Sequence, residues 1–133
     1  MKKLSCLLLV TLFALLCFSA CAKDKDPIVI KETDEFVVIN CQTDKTDVTL
    51  AEYMNGLSDI FVIESGMVVS INGLENASDW SFVWMLYTDD EELSNTAWGT
   101  VEYKDKVYGS AVLGAERLVV KNGKTYVWVY QGF

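Results

Sequence analysis

Few residues in this 133-residue chain could do chemistry. Histidine is absent, which removes the commonest general base, any serine–histidine or cysteine–histidine pairing, and imidazole ligation of a metal. The acidic run DDEE (Asp89, Asp90, Glu91, Glu92) gathers carboxylates, but it lacks the Asp-x-Asp-x-Asp-Gly spacing with which a loop wraps calcium. It reads as a solvated turn. Glu64, Glu102 and Glu116 are scattered, and spacing alone sets no two of them for acid/base work. No glycine-rich phosphate loop is present. The expectation is a protein that is not an enzyme, with no metal and no covalently held cofactor.

What remains is aromatic surface. Trp80, Trp84, Trp98, Tyr108, Trp128 and Tyr130 are many large rings for a small chain, and core packing is the ordinary use of each. Trp98 and Tyr108 stand apart because they flank the charged, turn-like segment EYKDKVYG instead of sitting in a continuous apolar run. Apolar rings beside a few polar groups suit a small-molecule site. The stretch DWSFVWMLY (residues 79–87) raises a second question. As a strand it would send Trp80, Phe82, Trp84 and Leu86 one way and Ser81, Val83, Met85 and Tyr87 the other. A half-solvated strand would be polar on one of those faces. Either the stretch lies between two layers, or one face is left for something outside the chain.

The elements that must position these residues follow a leader. MKKLSCLLLVTLFALLCFSAC opens with Lys2 and Lys3, an apolar run and small residues, the layout of a secretory signal peptide. The run is also about the length of a membrane span, so an uncleaved anchor is the alternative. FSAC resembles the bacterial lipoprotein signal, in which the cysteine, here Cys21, is lipidated and becomes the mature N-terminus. Such a lipoprotein carries three acyl chains, and two or more anchor stably at about 0.8 kcal/mol per buried methylene. The expected organisation is a cleaved signal over residues 1–20, the lipidated cysteine and a charged tether over 21–34, and one domain over 35–133. The expected location is the cell membrane or cell surface, lipid-anchored on the extracytoplasmic side. Cys6 and Cys17 leave with the signal, so Cys41 is the only remaining thiol. It sits in EFVVINC as a small buried hydrophobe, and no internal disulfide can form.

Losing residues 1–20 removes two lysines and no acid, which takes the formal charge from −8 to −10. That balance argues against nucleic acid and against a polybasic membrane patch. The remaining length suits one domain with a modest core of its own.

Along that domain, a first strand is expected at Ile28 to Ile30 and another in EFVVINC. TLAEYMNGL carries Thr49 three residues before Glu52, a capping box, with Leu50, Tyr53 and Met54 as a helical stripe and Asn55-Gly56 as a stop. The remaining signals are β: IFVIE, MVVSI, residues 79–87, WGTVEY, RLVV and TYVWVY. Asn122-Gly123, between the last two, has the form of a type I′ hairpin turn. TYVWVY sorts into Val127 and Val129 on one face and Tyr126, Trp128 and Tyr130 on the other. The predicted fold is of α+β class, a single β-rich, β-grasp-like domain with one short helix packed on a mixed or antiparallel sheet.

The order TLAEYM, VVSINGL, VWMLYTDD and YGSAVLGAERLVVKNGKTYVWVY resembles the transcobalamin C-terminal-like domain, a β-grasp-related module of cobalamin carriers that recurs in bacterial surface lipoproteins. The resemblance covers about residues 47–131. It implies a corrinoid near the tryptophan-led strand, at the positions here of Trp84, Met85 and Leu86. The large α-helical half that closes over cobalamin in the carriers has no counterpart, so the implied site is an open half-clamp. Without histidine, cobalamin would keep its own base on cobalt.

Two readings of function follow. In the first, a lipid-anchored module captures a small ligand, with cobalamin the class the resemblance names, through Trp84, Met85, Leu86, Trp98 and Tyr108, and passes it to a membrane transporter. In the second, the aromatic surface of a non-enzymatic interaction or adhesion module meets another protein or a glycan.

Overall fold

The structure is a computed structural model that describes residues 28–57 and 59–133. The expected signal peptide, the expected lipid site at Cys21 and the first half of the expected tether (residues 21–27) lie outside the described residues. Among the described residues nine strands and one helix follow in order: β1 (Val29–Thr33), β2 (Phe36–Asn40), α1 (Leu50–Asn55), β3 (Phe61–Glu64), β4 (Met67–Ile71), β5 (Leu74–Glu75), β6 (Phe82–Thr88), β7 (Ser94–Tyr103), β8 (Lys106–Ala111) and β9 (Thr125–Gly132). They form a six-stranded sheet in the order β1-β2-β9-β6-β8-β7 and a three-stranded sheet in the order β3-β4-β5. Every pairing is antiparallel.

The fold is therefore a two-sheet, predominantly β architecture, which corrects the expectation of an α+β, β-grasp-like domain. The reason is dimensional. A six-residue helix is about 9 Å long, whereas six strands span roughly 25 Å, so α1 cannot cover the sheet. The small sheet supplies the second layer instead. The capping box does form: Thr49 Oγ1 accepts from Glu52 N–H at 3.3 Å, and Glu52 Oε2 accepts from Thr49 N–H at 3.0 Å. The helix is then tied to the chain after β8 by Leu50 N–H to Leu118 O (2.8 Å) and Ala51 N–H to Ala115 O (2.9 Å).

RLVV is the counterpart correction. Leu118 and Val120 are buried, but the segment pairs only through the single bridge Thr49 to Val119 and supports the helix. Asn122-Gly123 still makes a turn, closed by Lys124 N–H to Lys121 O, with a positive φ at Gly123 alone. That is not type I′, which needs positive φ at both central residues. Ser65-Gly66, Asn72-Gly73 and Lys104-Asp105 meet that condition and close the hairpins β3–β4, β4–β5 and β7–β8.

The central strand β9 organises two cores. On one face Trp128 lies beside Val37 and Leu86, and Tyr126 beside Ile39. These pack against Leu50, Met54, Phe61, Val68, Ile71 and Leu118 to form the core between the two sheets. On the other face Val127 lies beside Val38 and Tyr87, and this face joins Tyr108 in a second cluster. The large sheet curls around that cluster until its outermost strands touch: Tyr103 Oη on β7 donates to Glu32 Oε1 on β1 at 2.6 Å, and the Phe36 and Tyr103 rings stand 5.8 Å apart. Rolling a sheet so that its edges meet protects backbone groups that an open edge would expose. Burial, with Glu32 beside it, raises the Tyr103 phenol to about 12.

Both faces of β6 are therefore covered from Trp84 to Thr88, while Phe82 stays 49% exposed, so residues 79–87 lie between two layers only over their second half. The strand begins at Phe82, not at Asp79. Residues 77–80 form a turn closed by Trp80 N–H to Ala77 O, and Asp79 Oδ1 accepts from Ser81 Oγ (2.6 Å) and Ser81 N–H (3.1 Å). Those bonds hold the Asp79 carboxyl below its ordinary range.

Candidate binding cleft

β6 has a partner along its whole length on one edge only. β9 pairs with it from Phe82 to Thr88, whereas β8 pairs with it only at Tyr87↔Ser110 and Thr88↔Gly109. After Ala111 the chain leaves the sheet. At the far end of the same edge, Asn76 and Ala77 take the place of a strand: Trp84 N–H donates to Asn76 Oδ1 (2.9 Å), and Ala77 N–H donates to Phe82 O (2.8 Å). Between these two attachments the sheet has a gap, and a cleft of about 440 Å³ opens there.

Trp84, Leu86 and Trp128 line its depth, and Trp80, Met67 and Phe133 its mouth; the first three are buried and the last three exposed. Met85 also lines the cleft, from the neighbouring position of β6. One wall is the segment 112–116, positioned by a close approach: at Gly66, with φ +80, a Cβ would collide with Glu116. Only glycine fits there, for both steric and conformational reasons. Trp80 has φ +62, a conformation that costs a bulky residue on the order of 1–2 kcal/mol.

The polar groups around the cleft are mostly spent. Trp84 Nε1–H donates to Leu74 O (2.8 Å), Tyr130 Oη to Glu75 O (2.9 Å), and Asn76 Nδ2 to Val68 O (3.0 Å). Trp128 Nε1 is buried and has no partner among the described residues. No Lys or Arg lines the cleft among the described residues, and Glu116 is its one charged side chain.

The expected site residues thus separate. Trp84 and Leu86 come together in the cleft, whereas Met85, one position over on β6, borders it but packs against the second cluster on the other face of the sheet. Tyr108 faces the second core and borders a different, more polar concavity of about 570 Å³ with Lys104, Lys124 and Thr125. Trp98 is 66% exposed on edge strand β7, where the register jumps between Asn95 and Thr100 and the intervening residues bulge out. Trp128 and Phe133 were missed as site residues. Alternation puts Trp128 on the aromatic face of β9, but only the cross-strand register Leu86↔Trp128 brings it to β6.

DDEE is not simply a solvated turn. The side chains of Asp89 and Asp90 are only 7% and 3% exposed. Asp89 accepts from Lys106 Nζ (2.7 Å) and from Thr125 N–H (2.8 Å). Lys121 Nζ donates to Asp90 Oδ1 (3.2 Å) and Glu92 Oε2 (2.7 Å); Asp90 Oδ2, at 2.9 Å, is held by charge alone. Glu92 and then Asp90 raise the Lys121 ammonium above its usual range. Cys41 is a free, buried thiol whose pKa burial pushes up.

Among the described residues, no His, Cys, Asp and Glu side chains group as a metal site, and no helix is long and apolar enough to cross a membrane. Compared with protein-family models, characterised proteins and solved structures, the chain matches none.

Proposed function

We propose that the protein is a non-enzymatic, lipid-anchored extracytoplasmic module that binds a small, largely apolar ligand in the cleft beside β6. The observation that carries this reading is the gap in the six-stranded sheet. A strand in the middle of a sheet normally has neighbours on both sides, and here the missing length is replaced by an aromatic-lined cleft. Its volume lies within the range of small-ligand pockets, about 300–1,000 Å³. The exposed rings of Trp80 and Phe133 at its mouth supply contact area on the solvent side.

The resemblance names the corrinoid as the first ligand class to test. A corrinoid exceeds the cleft and would seat one edge of its ring there. An open site leaves the rest of the ligand wet, so affinity is modest until a second protein covers it. A transporter in the same membrane fits that role, because a lipid anchor on Cys21 raises the local concentration of one partner beside the other.

The test is a titration of cobinamide, cobalamin and small aromatic compounds into the protein spanning Ala22 to Phe133, followed by calorimetry and tryptophan fluorescence. Saturable binding that Trp80→Ala weakens several-fold, without loss of folding, is the expected result. Corrinoid binding that is indifferent to Trp80→Ala and Phe133→Ala places the ligand elsewhere, and no binding by any compound sinks the small-ligand reading.

A further inference from the structure

We infer that the ligand of the cleft is a cation: an apolar molecule carrying an ammonium group, with the Glu116 carboxylate as its counter-charge and the rings of Trp80 and Phe133 beside it. The inference rests on the cleft being the binding site. Glu116 is exposed, so a ligand can reach it, and the chain makes room for its side chain twice. A Cβ at Gly66 would collide with Glu116 Cβ, and a Cβ at Gly114 would lie 2.6 Å from Oε2 and 2.9 Å from Oε1. Gly66 also needs glycine for its positive φ. Gly114 has no such φ, so there the missing side chain simply leaves space that the carboxylate takes. Gly114 and Glu116 both belong to the cleft wall, which places the two oxygens at that wall. Among the described residues no cation pairs with them: the ion pairs go to Asp34, Asp89, Asp90 and Glu92.

The rings supply the second attraction. Trp80 and Phe133 line the mouth and are exposed, 58% and 87%. The face of an aromatic ring is electrostatically negative, and tryptophan attracts a cation best. The three possible charges of a ligand then separate. An anion meets no lysine or arginine on the lining among the described residues and would lie near Glu116. A neutral molecule gains from apolar burial alone. A cation gains that burial for its body, and for its head the rings, the carboxylate and the field of a chain with a formal charge of −8. At an open mouth the head stays partly hydrated, so most of the cost of burying a charge is avoided.

Two probes of one shape differ in charge: 3-hydroxyphenyltrimethylammonium and 3-tert-butylphenol, titrated by calorimetry at low and at high salt into the Ala22 to Phe133 protein, which keeps every strand of both sheets. The expected result is the ammonium compound binding about fivefold tighter, as an exposed cation–π contact and a solvent-facing ion pair together provide. Glu116→Gln should cut that preference about threefold without changing the affinity for 3-tert-butylphenol. High salt should shrink the preference in the same direction, and Trp80→Ala should weaken both probes. Equal or tighter binding of 3-tert-butylphenol, or a preference that Glu116→Gln leaves intact, overturns the inference; the cleft remains the site as long as Trp80→Ala weakens 3-tert-butylphenol. Failure of both probes to bind, or binding indifferent to Trp80→Ala and Phe133→Ala, overturns the inference and the cleft reading together.

Discussion

The two ends of β6 solve the same problem in opposite ways. At the C-terminal end polar groups are buried and paired: Thr88 Oγ1 donates to Thr125 O and accepts from Asp90 N–H, Asp89 receives Thr125 N–H, and Lys121 reaches across to Asp90. Farther back the strand runs beside an apolar cleft, and the indole N–H of Trp128, opposite Leu86, is buried without a partner among the described residues. Trp84 and Thr88 are only four positions apart. Buried polar groups are tolerated when satisfied and costly when not; the C-terminal end is the more finished of the two, since its one unbonded atom, Asp90 Oδ2, still has the Lys121 charge beside it, whereas Trp128 Nε1 has no partner among the described residues.

The strongest way to break this contrast is at the finished end. Asp90→Ala removes a buried carboxylate that takes Lys121 and Glu92 N–H. It should cost about 2–3 kcal/mol in chemical denaturation, less than a fully buried pair because the lysine can turn to solvent. A cost under 1 kcal/mol would mean that the network is only decorative.

A second comparison isolates the orphaned group. Trp84→Phe and Trp128→Phe delete similar volume from one core, but only the first also breaks a hydrogen bond, to Leu74 O. Trp84→Phe should be the more destabilising by about 1 kcal/mol. Equal losses would show that Trp128 Nε1 has a partner in solution.

A third uses pH. Burial raises the Tyr126 phenol to about 12 from the ordinary 10. The folded state then holds a proton that the unfolded chain gives up, so this stability is complete below pH 10 and is lost as pH rises toward 12. Tyr103 acts in the same window. Tyr126→Phe should flatten the alkaline slope of stability, and an unchanged slope would remove Tyr126 from the account. The smallest effect belongs to Trp98→Ala: within about 0.5 kcal/mol, as for an exposed side chain, with no change in ligand affinity. Weakened binding would bring the bulge on β7 into the site.

Local signals were legible in the sequence and long-range ones were not. The capping box of Thr49 and Glu52 and the two-faced pattern of TYVWVY concern neighbouring residues, and both appear as expected. The burial of Asp90 depends on Lys121, thirty-one positions away. RLVV has the composition of a strand, but Leu118 and Val120 join the core beside the helix while Val119 stays exposed. That Trp84 and Leu86 share a face was legible from alternation, but the cleft they border was not, because it is made by the register of β9 and by the length of β6 that β8 leaves unpaired.

The strand order has a consequence for how the protein is made. β9 lies third in the six-stranded sheet, between β2 and β6, although it is the last of the nine strands to be synthesised. A nascent chain that stops short of Thr125 lacks the strand whose backbone hydrogen bonds join β1–β2 to β6–β8–β7, leaving side-chain contacts such as Tyr103 to Glu32 as the remaining link. Closure must wait for the final strand, and such non-local pairing is slow. Until then β2 and β6 each keep an edge without its strand partner, and the six-stranded sheet cannot be completed.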